Sequence, residues 1–363
     1  MKHNSYLIKP ASSLCNMNCH YCFYSDVAKH RSIYSKGFMN EETTDILIKN
    51  ALADSNEITF AFQGGEPTLA GLTYFYHFVD TVNRLKKHHT IHYTIQTNGL
   101  LLNDEWLNFF KKNKFLVGIS LDGIKIIHDS IRTQNHNGTF NRVFSVINNM
   151  KRKNISFNIL TVLTPKLVPY AKEVYQFYKD NNFDYVQFIP CLSELDCEKN
   201  EYSLSPKQFC QFYKDIFQIW YKDLQTKNAL HITLFDNLLM IFHGIYPSTC
   251  GLLGQCQIQM IIEADGSTYP CDFYAYDKYK LGNIKTHSFQ EMRSNQIAIH
   301  FLKERKKTSL LCDNCKFINI CKGGCKRMNT AYFDNDFCGY QSFLEKTYKQ
   351  FYDLSKICTF DSF

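Results

Sequence analysis

Cys15-x3-Cys19-x2-Cys22 puts three thiols into one short loop near the start of the chain. Three thiolates at this spacing can hold three irons of a [4Fe–4S] cluster and leave the fourth iron open to a small molecule. A ferredoxin-type electron-transfer site normally supplies four cysteines, and a structural zinc site is closed and four-coordinate. Zinc completed by a distant ligand, or three incidental thiols, are the competing readings. Eight more cysteines crowd the last third, as Cys250-x5-Cys256-x14-Cys271 and Cys312-x2-Cys315-x5-Cys321-x3-Cys325-x12-Cys338. Eight thiolates complete two four-ligand sites. Two zinc ions satisfy that arithmetic as well as two clusters do, so ligand count alone does not choose the metal. Cys191, Cys197, Cys210 and Cys358 are scattered, and are expected to be buried or inert thiols.

These groups need elements to position them. The cysteine-free stretch from 23 to 190 alternates β-rich runs with helical periodicity. Strands are expected at Ile58–Gln63, Ile91–Gln96, Phe115–Leu121, Ser156–Leu163 and Tyr185–Ile189. Helices are expected at Glu41–Ala53, Tyr74–Lys86, Val168–Asp180 and about 205–226. Such alternation predicts βαβ units in a parallel sheet or barrel. Polar turns follow the strands: QGGEP after the second, QTNG after the third, SLDG after the fourth. Polar groups at the carboxyl ends of parallel strands form an active-site rim. QGGEP is not the fingerprint G-x-G-x-x-G, which removes a Rossmann reading. Beyond about 245 the chain turns short, loop-rich and Cys-studded, as expected of a domain built around its ligands. No internal repeat and no low-complexity segment appear.

Composition narrows the class. The chain has 363 residues, 45% hydrophobic and 21% charged, long enough for a sizeable core without disulfides. Lys plus Arg exceed Asp plus Glu by 41 − 34 = 7. No basic block accompanies a nucleic-acid motif, and KRK at 151–153 and KERKK at 303–307 are expected to be solvated helix faces. The apolar runs FLVGISL and LLMIF fall short of a membrane span, and the start lacks a secretory signal. The expected compartment is the cytoplasm, with no nucleic-acid or membrane partner. Fifteen cysteines there point to metal or redox chemistry, not disulfides.

CNMNCHYC, in the setting KPASSLCNMNCHYCFY, resembles the signature of radical S-adenosylmethionine (SAM) enzymes. The resemblance implies a partial (β/α)6 TIM-type barrel followed by a Cys-rich SPASM domain. It places the barrel at 1–235 and the SPASM domain, with a C-terminal helix, at 236–363. It implies that Cys15, Cys19 and Cys22 hold a cluster whose open iron chelates SAM, which is cleaved to a 5′-deoxyadenosyl radical. Gln63, Gly64, Gly65, Glu66 and Pro67 match the GGEP motif, whose strand contacts the SAM amino group. Ser120 and Arg132 resemble the positions holding ribose and carboxylate. Leu192 resembles an adenine contact, and Tyr24 an aromatic beside the SAM site. CDFY and CKGGCKR resemble the SPASM domain, which implies two auxiliary [4Fe–4S] clusters, three in all. Cys250, Cys256, Cys271 and Cys325 would bind one, and Cys312, Cys315, Cys321 and Cys338 the other.

AFQGGEPTLAG, IQTNG and GSTYPCDFY narrow the resemblance to anaerobic sulfatase-maturating enzymes, which oxidise a Cys or Ser in an unfolded sulfatase segment to Cα-formylglycine. This implies an unfolded sulfatase polypeptide as substrate and a reductant such as ferredoxin or flavodoxin. It places the catalytic aspartate, a proton acceptor, at Asp272. The stretch Cys191–Glu201 and the tail after Cys338 match no motif, which leaves substrate preference open. The competing enzyme is a SPASM maturase forming a thioether or C–C crosslink in a ribosomal peptide. Many of those carry a leader-recognition domain, for which the early first strand is expected to leave no room. A multi-cluster electron carrier would need neither a three-ligand front site nor a large barrel.

Overall fold

Alternation of apolar residues creates the strands that carry the rim. In EITFAF, Ile58, Phe60 and Phe62 are buried while their neighbours are half-exposed, the period-two pattern of a strand against a core. The computed structural model describes residues 3–357 and divides into two units. The first takes the chain up to Ser120, then Asp129–Phe157 and Gln257–Glu304. The second takes Leu121–His128, Asn158–Cys256 and the chain from Arg305 on.

In the first unit, β1 (His3–Ile8), β2 (Glu57–Phe62), β3 (Thr90–Thr97) and β4 (Leu116–Ser120) lie parallel in sequence order. Ile8 pairs with Phe62 and Phe62 with Ile95, so the strands finish on one side. Parallel neighbours need long crossovers, which the helices Glu41–Asp54, Leu72–Leu85 and Asp104–Lys112 supply. Asn40 and Asn103 start two of these by accepting the N–H of Thr43 and Trp106, satisfying donors a helix start leaves free. A small hairpin, β5 (Thr133–Gln134) and β6 (Asn137–Gly138), follows.

In the second unit, β7 (Phe157–Leu163), β8 (Tyr185–Pro190) and β9 (His231–Ile232) are parallel. The helix Pro206–Gln225 opens with a Ser205/Gln208 capping box. Its Trp220 and Phe217 pack with Phe235 and with Phe351 of the final helix, Gly339–Ile357.

The chain then returns to the first unit. β10 (Ile261–Ile262) pairs parallel to β1, with Ile8 against Ile262, and β11 (Ser267–Tyr269) and β12 (Gly282–Asn283) continue antiparallel. This register sets Glu263 beside Lys9. Neither the short strands nor the helices Asp104–Lys112, Phe140–Arg152 and Thr233–Phe242 were among the sequence expectations.

One basic run behaves as expected and one does not. Lys151 and Arg152 close the helix Phe140–Arg152, where cations suit the dipole. KERKK is not a helix face: the helix Gln296–Lys303 stops at its first residue, and Lys306 turns inward onto backbone carbonyls. Among the described residues, no helix is long and apolar enough to cross a membrane.

Candidate active site

The glycines of the GGEP turn are there because backbone lies against them. Gly65 N–H donates to Ser12 O at 2.9 Å, and Glu66 N–H to Leu14 O at 2.8 Å. A Cβ at Gly65 would stand 2.1 Å from Leu14 O, and one at Gly64, whose φ is +121°, 2.9 Å from Ser12 O. The turn after β2 therefore grips the segment that leads directly into Cys15. Gly65→Ala should displace that segment, cost on the order of 1–3 kcal/mol and lower the iron bound by the front loop. Denaturant unfolding and iron analysis check this; wild-type values of both would mean the backbone yields without cost.

Glu66 locks the same turn to the next one. Its buried carboxylate accepts Thr68 N–H (3.0 Å), Thr68 O–H (2.6 Å), Thr97 O–H (2.7 Å) and Asn98 N–H (2.7 Å). Burial pushes its pKa up, and those bonds pull against the shift. Asn98 then reaches Asn16 Oδ1 at 2.8 Å, inside the cysteine loop. The loop's other side is held by Asn18 N–H on Thr133 O and Gln134 Nε2 on Asn16 O. Ser120, at the end of β4, accepts Gln96 Nε2 at 3.0 Å. Arg132 donates to the Tyr21 hydroxyl at 2.8 Å.

Asp272 follows Cys271 in the first unit and is 8% exposed. Lys9 Nζ stands 2.7 Å from its Oδ1, and the Tyr24 hydroxyl donates to its Oδ2 at 2.5 Å. Lys9 also stands 3.6 Å from Glu263, which takes Arg31 at 2.8 Å and Ser12 O–H at 2.7 Å. Lysine and glutamate are almost never fully buried unless paired; here two cations face two carboxylates. Desolvation pushes the Tyr24 phenol well above its ordinary value, reinforced by the Asp272 carboxylate, while the Gln63 side chain opposes it. Tyr24 thus remains a proton donor. Its hydroxyl is committed to Asp272.

Sequence reading missed Lys9, Ser12, Arg31, Glu263, Asn98 and Tyr21. Lys9 and Ser12 lie in KPASS, and Asn98 in QTNG, motifs recognised without any role for these side chains. Arg31 and Glu263 carry no local signal, because register alone brings them in.

The second unit gathers seven of the eight rear cysteines. Cys312, Cys315, Cys321 and Cys338 line one recess, walled by Phe317 and Tyr340 among others. Gln341 N–H donates to Cys338 Sγ at 3.3 Å, and the buried Tyr340 hydroxyl has no partner. Burial pushes the Cys338 thiol up to about 11, so it stays protonated until a metal displaces the proton. Four soft donors around one recess, with an orphaned hydroxyl, fit an iron–sulfur cluster. Gly251 lies against Cys325, since a Cβ there would stand 2.8 Å from Cys325 Cβ. Cys250, Cys256 and Cys325 belong to this unit and Cys271 to the first. Leu192 is half-buried in the second unit, in a cavity beside Cys191 and Cys197. Cys191 and Cys210 are buried, Cys197 is half-exposed, and Cys358 lies outside the described residues.

Parallel strands ending on a three-cysteine loop, with a cysteine-lined recess elsewhere, define a class that comparison confirms. The Radical SAM superfamily matches residues 10–178, and the SPASM iron–sulfur cluster-binding domain residues 250–316. The chain is 41% identical to a cysteine-type anaerobic sulfatase-maturating enzyme of Clostridium novyi, over 95% of this chain and 96% of that one. It is 28% identical to a serine-type enzyme of Bacteroides thetaiotaomicron, over 88% of this chain and 82% of that one. A solved structure described as native anSMEcpe with bound AdoMet and Kp18Cys peptide superposes with a TM-score of 0.90 at 37% identity, covering 98% of this chain and 100% of that one. The chain belongs to the anaerobic sulfatase-maturating enzymes. The radical SAM fold class that the resemblance implied is therefore the one found, and the protein is an enzyme that needs SAM and a [4Fe–4S] cluster.

Proposed function

We propose that this enzyme oxidises a cysteine in an unfolded sulfatase segment to Cα-formylglycine. Cysteine is favoured over serine because cysteine-type relatives are 38–41% identical and the serine-type relatives 26–28%. The barrel functions are assigned to 1–235 and the auxiliary-cluster functions to 236–363. Cys15, Cys19 and Cys22 hold the SAM-binding cluster. Cys250, Cys256, Cys271 and Cys325 hold one auxiliary cluster, and Cys312, Cys315, Cys321 and Cys338 the other. The iron–sulfur cluster-binding domain matched at residues 250–316 and the four thiols around one recess favour clusters over zinc.

When bound, SAM and its cluster supply a 5′-deoxyadenosyl radical that takes a substrate hydrogen, and the auxiliary clusters supply an electron acceptor. The chain's own residues do the rest. Gln63, Gly64, Gly65, Glu66, Ser120, Arg132 and Leu192 bind SAM with Tyr24 beside it, and Glu66 also holds the turn that presents it. Asp272, as general base, takes the thiol proton that the carbon-centred substrate loses as the C=S bond forms. Oδ2 accepts the Tyr24 hydroxyl, while Oδ1 stands 2.7 Å from the Lys9 ammonium and accepts no hydrogen bond; a carboxylate offers about four sites, which leaves room for the proton.

The observation carrying this reading is Asp272 itself, a buried carboxylate held by Lys9 and Tyr24 and covalently next to a cluster cysteine. Anaerobic incubation of a sulfatase peptide with enzyme, SAM and reductant tests it. Mass spectrometry should show the target cysteine losing two hydrogens and exchanging sulfur for oxygen. A peptide that loses two hydrogens but keeps its sulfur in a crosslink would overturn the reading.

A further inference from the structure

Lys306 differs from the basic residues beside it. Its Nζ donates to Gly254 O at 2.9 Å, to Gly324 O at 3.2 Å, and to Lys322 O. An ammonium has three donors and no acceptor, so these carbonyls use all of it. Gly254 lies between Cys250 and Cys256, and Lys322 and Gly324 lie between Cys321 and Cys325. One side chain therefore ties together two loops that bear four of the rear cysteines. The glycines make room for it. Gly254 has φ +67°, and a Cβ there would stand 2.5 Å from Lys306 Nζ; one at Gly323 would touch Lys306 Cε at 3.5 Å.

The tethered loops serve both proposed sets, since Cys250, Cys256 and Cys325 belong to one and Cys321 to the other, so the ammonium is fixed between ligand loops of both.

We propose that Lys306 is a positioning residue for the auxiliary pair, fixing the ligand loops and holding positive charge where both centres gain negative charge on reduction. This rests on the auxiliary-cluster reading above. In the step concerned, the substrate carbon radical loses one proton to Asp272 and one electron to an oxidised auxiliary [4Fe–4S] centre, and closes to a thioaldehyde. That electron adds one negative charge to a centre four thiolates already make anionic. A fixed cation stabilises the reduced form and so makes the electron easier to accept.

The test uses full-length enzyme carrying Cys15→Ala, Cys19→Ala and Cys22→Ala, so that only auxiliary clusters are read. Lys306→Gln keeps a donor and removes the charge; Lys306→Arg keeps both. Redox titration followed by electron paramagnetic resonance should show Lys306→Gln shifting the reduced-to-oxidised ratio at fixed potential about tenfold toward oxidised, about 59 mV for one electron. Lys306→Arg should stay within about twofold, given the error a tenfold scale of 59 mV allows. A Gln variant matching its parent, or an Arg variant moving as far as Gln, overturns the proposal. Should Gln fail to retain the clusters, retention by Arg supports the charge, and loss by both overturns it. A parent that binds no auxiliary iron would remove the cluster reading and this proposal with it. A change confined to the Lys306 variants bears on this proposal alone.

Discussion

In Asp272→Asn, formylglycine formation falls by about 10²–10⁴-fold, the usual worth of a lost general base, while SAM is still cleaved to 5′-deoxyadenosine. Asparagine keeps the shape at a position 8% exposed, and the amide oxygen can still accept the Tyr24 hydroxyl. It cannot take the substrate proton. The substitution also leaves Lys9 and Arg31 facing Glu263 alone. Breaking a buried pair from one side costs about 3–5 kcal/mol, so the melting temperature should fall too. Adding Lys9→Met restores the balance of one cation to one carboxylate. That double variant should recover stability and not product, which separates proton transfer from folding. Near-normal formylglycine in Asp272→Asn, with iron intact, would show that water or another group takes the proton.

Replacing Cys15, Cys19 and Cys22 together by alanine should abolish SAM cleavage and lower the iron content from about twelve to about eight per chain, three clusters of four becoming two. The recess holding Cys312, Cys315, Cys321 and Cys338 is built within the second unit, from segments the front loop does not enter. Iron analysis and 5′-deoxyadenosine quantitation on the same sample read both effects. Retained SAM cleavage would remove the front loop from the reaction. Loss of all iron would show that the rear sites depend on the front one.

What could be read in the sequence is what its neighbours in sequence determine. The cysteine groups stand out because cluster ligands come from short loops, and the strand–helix alternation because burial imposes a period. Ile58, Phe60 and Phe62 announce β2 without help from elsewhere. Glu263 announces nothing, because β10 is two residues long and only its register against β1 gives the carboxylate a partner. Lys306 was misread for the same reason. In KERKK it looks like one more solvated cation, yet its partners are carbonyls in loops around Gly254 and Gly324. Tyr24 was seen as an aromatic; that its hydroxyl meets a residue 248 positions away follows only from the fold.

The pairing of β1 with β10 has a consequence for synthesis. Ser12 and Glu263 are 251 residues apart in the chain and share a buried hydrogen bond. At 5–20 residues per second, Lys9 and Arg31 wait roughly 13–50 s on the ribosome before their carboxylates emerge. Until then a closed N-terminal unit would bury two unpaired cations, so its final packing belongs to a late stage of folding. Asp272 arrives in the same stretch of chain as Glu263, and the pocket is complete only with both. A nascent chain therefore closes the surroundings of Lys9 and Arg31 only after residues 263–272 have been made, however early its front loop folds.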